Sequence, residues 1–178
     1  IRDSSKYGAS LIGAGDLVPF DMGGTSTDIS MIVNGEPALS STRGIAGQRI
    51  ALQSLDIVSI ASGGGSIARV DAGGILRVGP ESAGALPGPA CYGKGGTEVA
   101  VTDASVVLGF LDPGNFLGGR ETLDVEAAEV ALSRLAHQLS VEPAEAAEGV
   151  HKVINTQMAE GIRSVSYTHL TLPTTCTV

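Results

Sequence analysis

The rhythm of hydrophobic positions changes near Asp103. Before it, short apolar runs alternate with glycine-rich turns. Leu17-Val18-Pro19-Phe20 predicts one strand and Ile29-Ser30-Met31-Ile32-Val33 a second. Asn34-Gly35 follows, and both residues tolerate positive φ, so a hairpin returning through Glu36 to Leu39 is expected. Leu55 to Ile60 is another strand candidate. Ile67 to Val70 and Ile75 to Val78 flank Asp71-Ala72-Gly73-Gly74, which predicts a second hairpin. From Gly79 to Gly96 the chain carries turn residues, including Pro80, Pro87 and Pro89. A loop of that length inside a domain points to function.

After Asp103 the period becomes helical. Thr102 or Asp103 can cap a helix running through Leu111, with Val107, Phe110 and Leu111 on one face, until Pro113-Gly114 stops it. Val125, Ala128, Leu132, Leu135 and Leu139 step by 3, 4, 3 and 4, with Asp124 as the cap. Pro143 can open a third helix, whose stripe is Ala147, Val150, Ile154, Met158, Ile162 and Val165. These stripes are core faces. Residues 167–178 break the pattern: they hold five threonines and no Asp, Glu, Lys or Arg. They resemble translated sequencing adapter, and are expected to be a non-native tail on a domain spanning 1–166.

Composition narrows the classes. Lys and Arg total 11 against 19 Asp and Glu, a net charge of -8, which argues against a nucleic-acid binder. Hydrophobic residues make up 43%, enough for a core, and no apolar run approaches the roughly 18 residues of a membrane span. Two cysteines, Cys91 and Cys176, cannot build a disulfide framework, so a reducing, cytoplasmic setting is expected. The chain lacks an initiator Met and reads as an interior piece. The 25 glycines have no period; they cluster, which suggests tight turns and close backbone approach to a ligand.

Candidate chemistry sits in Phe20-Asp21-Met22-Gly23-Gly24-Thr25-Ser26-Thr27-Asp28-Ile29-Ser30. Gly23 and Gly24 let backbone N–H groups approach anionic oxygens, and Thr25, Ser26 and Thr27 add hydroxyl donors. Asp21 and Asp28 would repel bare phosphate, so a divalent cation should mediate; Mg²⁺ takes carboxylates, phosphate oxygens and water. No Gly-Lys-Ser/Thr is present, which excludes a P-loop. A strand rather than a helix follows the glycines, which excludes the dinucleotide fingerprint. A phosphate loop between antiparallel strands is similar to that of the actin/Hsp70/sugar-kinase superfamily. An ordinary glycine-containing hairpin turn is the plain alternative, but it has no use for two Asp residues and three successive hydroxyls. The second cluster, Gly63, Gly64, Gly65 and Ser66, is either a flexible turn or a second loop of backbone donors.

Several stretches together resemble the hydantoinase A/5-oxoprolinase family. They are Phe20 to Ser30, Gly63 to Ala68, Val78 to Ala85, Pro87 to Gly93, Val101 to Ala104 with Leu108-Gly109, and Asn155 to Ser166. The resemblance covers about residues 8–166. It implies a partial α/β domain of the actin/Hsp70-like ATPase type, ribonuclease-H-like, with β-hairpins followed by helices. It implies ATP and Mg²⁺ as cofactors, and the opening of cyclic amides such as hydantoins or 5-oxoproline. Asp21 and Asp28 would be catalytic, Asp21 would hold the metal, and Gly23–Thr27 with Gly63–Ser66 would bind the nucleotide. Expected partners are the missing N- and C-terminal parts of the protein and a hydantoinase B-type subunit, with neither nucleic acid nor membrane. The chain by itself is expected to be inactive. A ketone carboxylase subunit, another actin-like ATPase and an inactive scaffold remain open.

Departures from the family pattern are local. Ala61-Ser62 stands where Gly-Ala is usual, Pro19 interrupts the strand before Asp21, and Glu98-Val99-Ala100 replaces a Pro-Thr approach to Val101. Cys91 could be a nucleophile, but no base is evident near it in sequence, and a buried thiol is the simpler reading. Asp103 is either a site carboxylate or a helix cap.

Overall fold

The computed structural model describes residues 2–40, 43–45, 48–51 and 53–170. Its elements in chain order are α1 (Arg2–Ile12), β1 (Phe20–Met22), β2 (Thr27–Ser30), β3 (Ile32–Val33), β4 (Glu36–Pro37), β5 (Leu39–Ser40) and β6 (Arg43–Ile45). There follow β7 (Gln48–Ile50), β8 (Ser54–Leu55), β9 (Ile57–Ile60), β10 (Ser66–Val70) and β11 (Leu76–Ser82). A 3-10 turn at Ala90–Tyr92 leads into α2 (Val101–Val107), α3 (Val125–Leu139) and α4 (Pro143–Leu170). The chain divides into two units: residues 1–21, 28–60 and 159–178, and residues 22–27 with 61–158.

In the first unit, β1, β2 and β9 form a sheet in that order. Proline decides where β1 lies. Pro19 has no N–H for a ladder, so the expected strand at 17–20 is displaced to Phe20–Met22. Leu17 keeps only an isolated bridge to Ile32, while the Pro19 carbonyl accepts the Ser30 N–H at 3.1 Å. Asn34 and Gly35 adopt φ of 52° and 77° and close the β3–β4 hairpin as expected. Ile29, Met31 and Val165 form the buried core, with Val18, Val33, Ala38, Ile60 and Ile162 around it. Each fully buried aliphatic side chain is worth about 1.5–3 kcal/mol.

In the second unit, β10 and β11 pair antiparallel, with Ala68 opposite Val78 and Val70 opposite Leu76. The register then shifts so that Ser66 faces Ser82. Gly79, at φ 70°, supplies the positive φ in this bulge. Asp124 caps α3 by accepting the Ala127 N–H at 2.9 Å. Ala128, Ala131, Leu132, Leu135 and Ala136 line its buried face. α2 begins two or three residues earlier than expected, with Ala100 as the N-cap, and ends at Val107. Gly109 at φ 74° stops it, so Phe110 lies outside the helix and is exposed.

α4 contributes to both units, and its expected stripe is buried at Ala147, Val150, Ile154, Met158 and Val165. The helix continues through Leu170, so the first residues of the expected tail are helical, whereas 171–178 lie outside the described residues. Among the described residues no helix is long and apolar enough to cross a membrane.

Candidate functional site

Four residues, 23–26, connect β1 to β2, and the Gly23 N–H donates to the Ser26 carbonyl at 2.8 Å to close the turn. The loop rests on the Gly63-Gly64-Gly65 segment. Gly64 N–H donates to the Gly23 carbonyl at 3.0 Å, and Gly65 N–H to the Gly24 carbonyl at 2.6 Å. Carbonyls of the loop therefore point into the protein. Among the described residues, the N–H groups of Gly24, Thr25 and Ser26 donate to no protein acceptor. Gly24 and Thr25 are exposed. The loop thus carries three backbone donors with no protein acceptor, groups that an anion can take.

The triple glycine supports that loop from below. A Cβ on Gly63 would meet the Gly23 and Gly24 carbonyl oxygens at 2.7 Å each; one on Gly65 would meet Gly24 O and Ser82 Oγ at 2.9 Å each. Only glycine permits this backbone-on-backbone approach. The N–H groups of Gly63 and Ser66 are also taken, by Ser66 Oγ at 2.9 Å and by the Gly63 carbonyl at 3.0 Å. Gly63 through Ser66 thus spend all four amides inside the protein. Their part in any ligand site is to hold the loop; the free donors lie on residues 24–26.

Side chains secure the tray at both ends. Thr27, fully buried, donates its hydroxyl to the Ser62 carbonyl. Ser62 Oγ donates to Gln157 Oε1 at 2.8 Å, and Gln157 Nε2 to the Val78 carbonyl at 3.0 Å. On the other side the Gly64 carbonyl accepts both the N–H and the hydroxyl of Thr102, each at 2.8 Å. Ser82 lies beside the loop: its Oγ accepts the Gly84 N–H at 3.1 Å and stands 3.3 Å from Thr25 Oγ1. Ser82, Thr102 and Gln157 were not singled out as site residues in the sequence. The stretches holding Ser82 and Thr102 did carry the family resemblance, and that was the available signal.

The two flanking aspartates differ. Asp21, in β1, is exposed, and its side chain makes no hydrogen bond or ion pair among the described residues. Asp28, in β2, is half-buried and accepts a short hydrogen bond from the Ser59 hydroxyl. Both belong to the first unit, while residues 22–27 belong to the second. No cluster of three or more His, Cys, Asp or Glu that could hold a metal occurs among the described residues. Of the two aspartates, Asp21 has the side-chain carboxylate that a cation could use.

Asp103 is not an open carboxylate: it caps the start of α2 from within the first turn, its carboxylate accepting the N–H of the N-cap residue Ala100. It is fully buried at the third position of α2 and accepts three backbone N–H groups: Ala90 at 3.2 Å, Cys91 at 2.7 Å and Ala100 at 2.7 Å. Cys91 is buried in turn, and its carbonyl accepts the Asp124 N–H at 2.7 Å. Burial, reinforced by the Asp103 carboxylate, pushes the Cys91 thiol far above its ordinary range, so the thiolate does not form at neutral pH. Burial holds His151 below the usual imidazole range, and its Nε2 lies 3.1 Å from Ser105 Oγ. No imidazole hydrogen-bonds Cys91 among the described residues, so the pair needed for a thiol nucleophile is absent there.

Known proteins share this chain's sequence and fold. The family model described as hydantoinase/oxoprolinase matches residues 4–177. The chain is 43% identical over 159 residues to caprolactamase subunit alpha of Pseudomonas jessenii, covering 89% of this chain and 23% of that one. It is 40% identical over 162 residues to the acetophenone carboxylase gamma subunit of Aromatoleum aromaticum, covering 89% and 22%. The crystal structure of the ATP-dependent caprolactamase from Pseudomonas jessenii superposes with a TM-score of 0.83 at 41% identity, over 93% of this chain and 24% of that one. The chain spans about a quarter of these relatives' length. On the breadth of the family match and these identities, the chain belongs to the hydantoinase/oxoprolinase family.

Proposed function

We propose that residues 23–26 are a phosphate loop for ATP within an enzyme that opens cyclic amides. The observation that carries this reading is the row of amides at Gly24, Thr25 and Ser26 that have no protein acceptor among the described residues, in a loop held by hydrogen bonds from Gly64 and Gly65 to its carbonyls. The position of the loop between the sequence-consecutive, neighbouring strands β1 and β2 supports an actin-like nucleotide fold. One relative points the same way: it is an ATP-dependent caprolactamase, and a lactam is a cyclic amide.

The division of labour follows from the chemistry. Backbone amides neutralise charge on the phosphoryl oxygens without the reorganisation that mobile side chains would require. Asp21, exposed and unpartnered, would hold Mg²⁺ or its waters; bound there, the ion would offset phosphate charge. Asp28, tied to Ser59, would fix the far end of the loop. In the reaction the amide oxygen attacks the terminal phosphorus and ADP departs. Water then adds to the activated carbon, the C–N bond breaks as the ring nitrogen takes a proton and the ring opens, and a second water hydrolyses the resulting acyl phosphate to carboxylate and phosphate. Partners under this reading are further parts of the protein and a second subunit of the hydantoinase B type, supported by the subunit names of both relatives. The second reading, ATP-dependent carboxylation of a ketone, is favoured by the resemblance to a carboxylase subunit. It uses the same ATP loop and changes only the acceptor of the phosphoryl group.

A hybrid tests the proposal. Residues 4–166 replace the matching segment of caprolactamase subunit alpha, and ATP hydrolysis is measured with and without caprolactam. Lactam-dependent turnover is expected. A hybrid that folds with the parent's thermal stability yet neither binds nor hydrolyses ATP would defeat the reading.

A further inference from the structure

We infer that Ser82 is a second phosphate-binding residue, donating its hydroxyl to the same phosphoryl group as the Gly24–Ser26 amides. This rests on the nucleotide reading above and deepens it.

Three observations converge. Ser82 is carried to the loop by the irregular register of the β10–β11 hairpin, where a step of two positions on one strand, Ser66 to Ala68, matches a step of four on the other, Val78 to Ser82. A regular hairpin would set Ser82 past Ser66 and away from the tray. The Ala83 N–H donates to the Gly65 carbonyl at 2.8 Å, and the Gly65 N–H donates to Gly24. One peptide residue therefore anchors the Ser82 segment through its carbonyl and the phosphate loop through its amide. Gly65 has no side chain to separate them, since a Cβ there would touch Gly24 O and Ser82 Oγ alike.

The hydroxyl chemistry fits donation. Ser82 Oγ accepts the Gly84 N–H, which occupies a lone pair and leaves the O–H hydrogen available. Thr25 Oγ1 lies 3.3 Å away. Two hydroxyls so spaced can both reach one acceptor oxygen at ordinary O–H···O distances of about 2.7–2.8 Å. With the three amides of residues 24–26 they make five donors facing one ligand. A terminal phosphoryl group, with three non-bridging oxygens and up to two charges, can use five donors. A carboxylate, with about four acceptor sites, would leave one unpaired. Charged acceptors make stronger bonds with these donors than water does.

The experiment measures Mg·ATP binding by calorimetry in the caprolactamase hybrid carrying Ser82→Ala, Ser82→Thr or Gly24→Ala. Loss of one hydroxyl donor to a charged oxygen lowers affinity by about tenfold. Ser82→Ala is expected to show that loss with the melting temperature within about 2 °C of the parent. Ser82→Thr, which keeps the hydroxyl, should restore the affinity. Unchanged affinity in Ser82→Ala alongside lost affinity in Gly24→Ala would overturn the inference and leave the nucleotide reading standing. Unchanged affinity in both would remove the two together. A fall in affinity accompanied by a large loss of melting temperature, unrepaired in Ser82→Thr, would make Ser82 a structural prop and also overturn the inference.

Discussion

The amide of Gly65 donates to the carbonyl of Gly24 at 2.6 Å, and this contact fixes which way the glycine loop presents its polar groups. With carbonyls 23 and 24 engaged from behind, the amides of residues 24–26 donate to no protein acceptor among the described residues. Two glycine clusters, 39 residues apart at Gly24 and Gly63, therefore do different work. One offers donors; the other spends its donors to hold the first.

That division predicts opposite behaviour for two alanine substitutions. A Cβ on Gly65 meets two oxygens at 2.9 Å, one of them backbone, whereas one on Gly24 meets nothing within 4 Å. Gly65→Ala is expected to cost about 2 kcal/mol, the scale of overpacking, and to lower the melting temperature by about 4–8 °C. Gly24→Ala should leave the melting temperature unchanged and weaken Mg·ATP binding, because its methyl group occupies the ligand's side of the loop. Equal thermal losses in the two variants would contradict the tray-and-loop arrangement.

Asp103 supplies a second stability test. Its three N–H partners all need an acceptor. Asp103→Asn turns one oxygen into a donor aimed at other donors, and leaves buried N–H groups unsatisfied. The expected cost is about 3 kcal/mol, or a melting temperature lower by about 6–12 °C, in the 178-residue chain. A variant with normal stability would return Asp103 to the list of candidate catalytic carboxylates.

Much of this was legible in the sequence, and the rest was hidden for identifiable reasons. Asn34-Gly35 dictates its hairpin because local φ preferences act within a few residues. The α3 and α4 stripes were readable because a period of 3.6 survives any tertiary context. Composition could not show that Gly63–Ser66 consume their own amides, because that depends on a pairing with residues 23 and 24. Ser82 next to Thr25, 57 positions apart, is equally a product of the hairpin bulge. Asp103 was recognised as either cap or site; only its three partners decide.

The Cys91 thiol yields a pH dependence. Its folded pKa is raised, chiefly by burial. Below about pH 8.5, where an ordinary thiol is protonated, the folded and unfolded states bind the same proton. Above it the unfolded chain releases that proton and the folded chain keeps it, so stability falls as pH rises, by up to about 1.4 kcal/mol per pH unit. Cys91→Ser is expected to flatten the alkaline limb of a urea-denaturation series relative to the parent. Iodoacetamide at pH 8 should modify Cys91 only after unfolding. Rapid labelling of the native chain at that position would show an accessible thiolate.

Residues 167–178 are tested by deletion. The buried stripe of α4 ends at Val165, and Tyr167 is exposed. Ending the chain at Ser166 is expected to leave the melting temperature within about 2 °C of the parent. A loss of several degrees would make the segment part of the fold.

Asp21 and Asp28 flank the loop and should separate by function. The Asp21 side chain has no protein partner among the described residues, so its charge is available to a ligand. Asp28 is engaged by the Ser59 hydroxyl, so part of its role is structural. Removing a single electrostatic group that acts in a transition state costs about 10²–10³ in rate, or roughly 3–4 kcal/mol of barrier. In the caprolactamase hybrid Asp21→Asn is expected to lower ATP turnover by that factor with the melting temperature unchanged, since Asn is nearly isosteric. Asp28→Asn retains an oxygen that can accept from Ser59, so a smaller loss of turnover is expected. Ser59→Ala removes that hydrogen bond outright, so any structural share of Asp28's role should show more strongly there than in Asp28→Asn. The checks are steady-state ATPase rate and thermal unfolding on each variant. Undiminished turnover in Asp21→Asn would reject its role at the metal-bound phosphate. Parallel losses of rate and stability in all three variants would reduce both aspartates to supports of an ordinary turn.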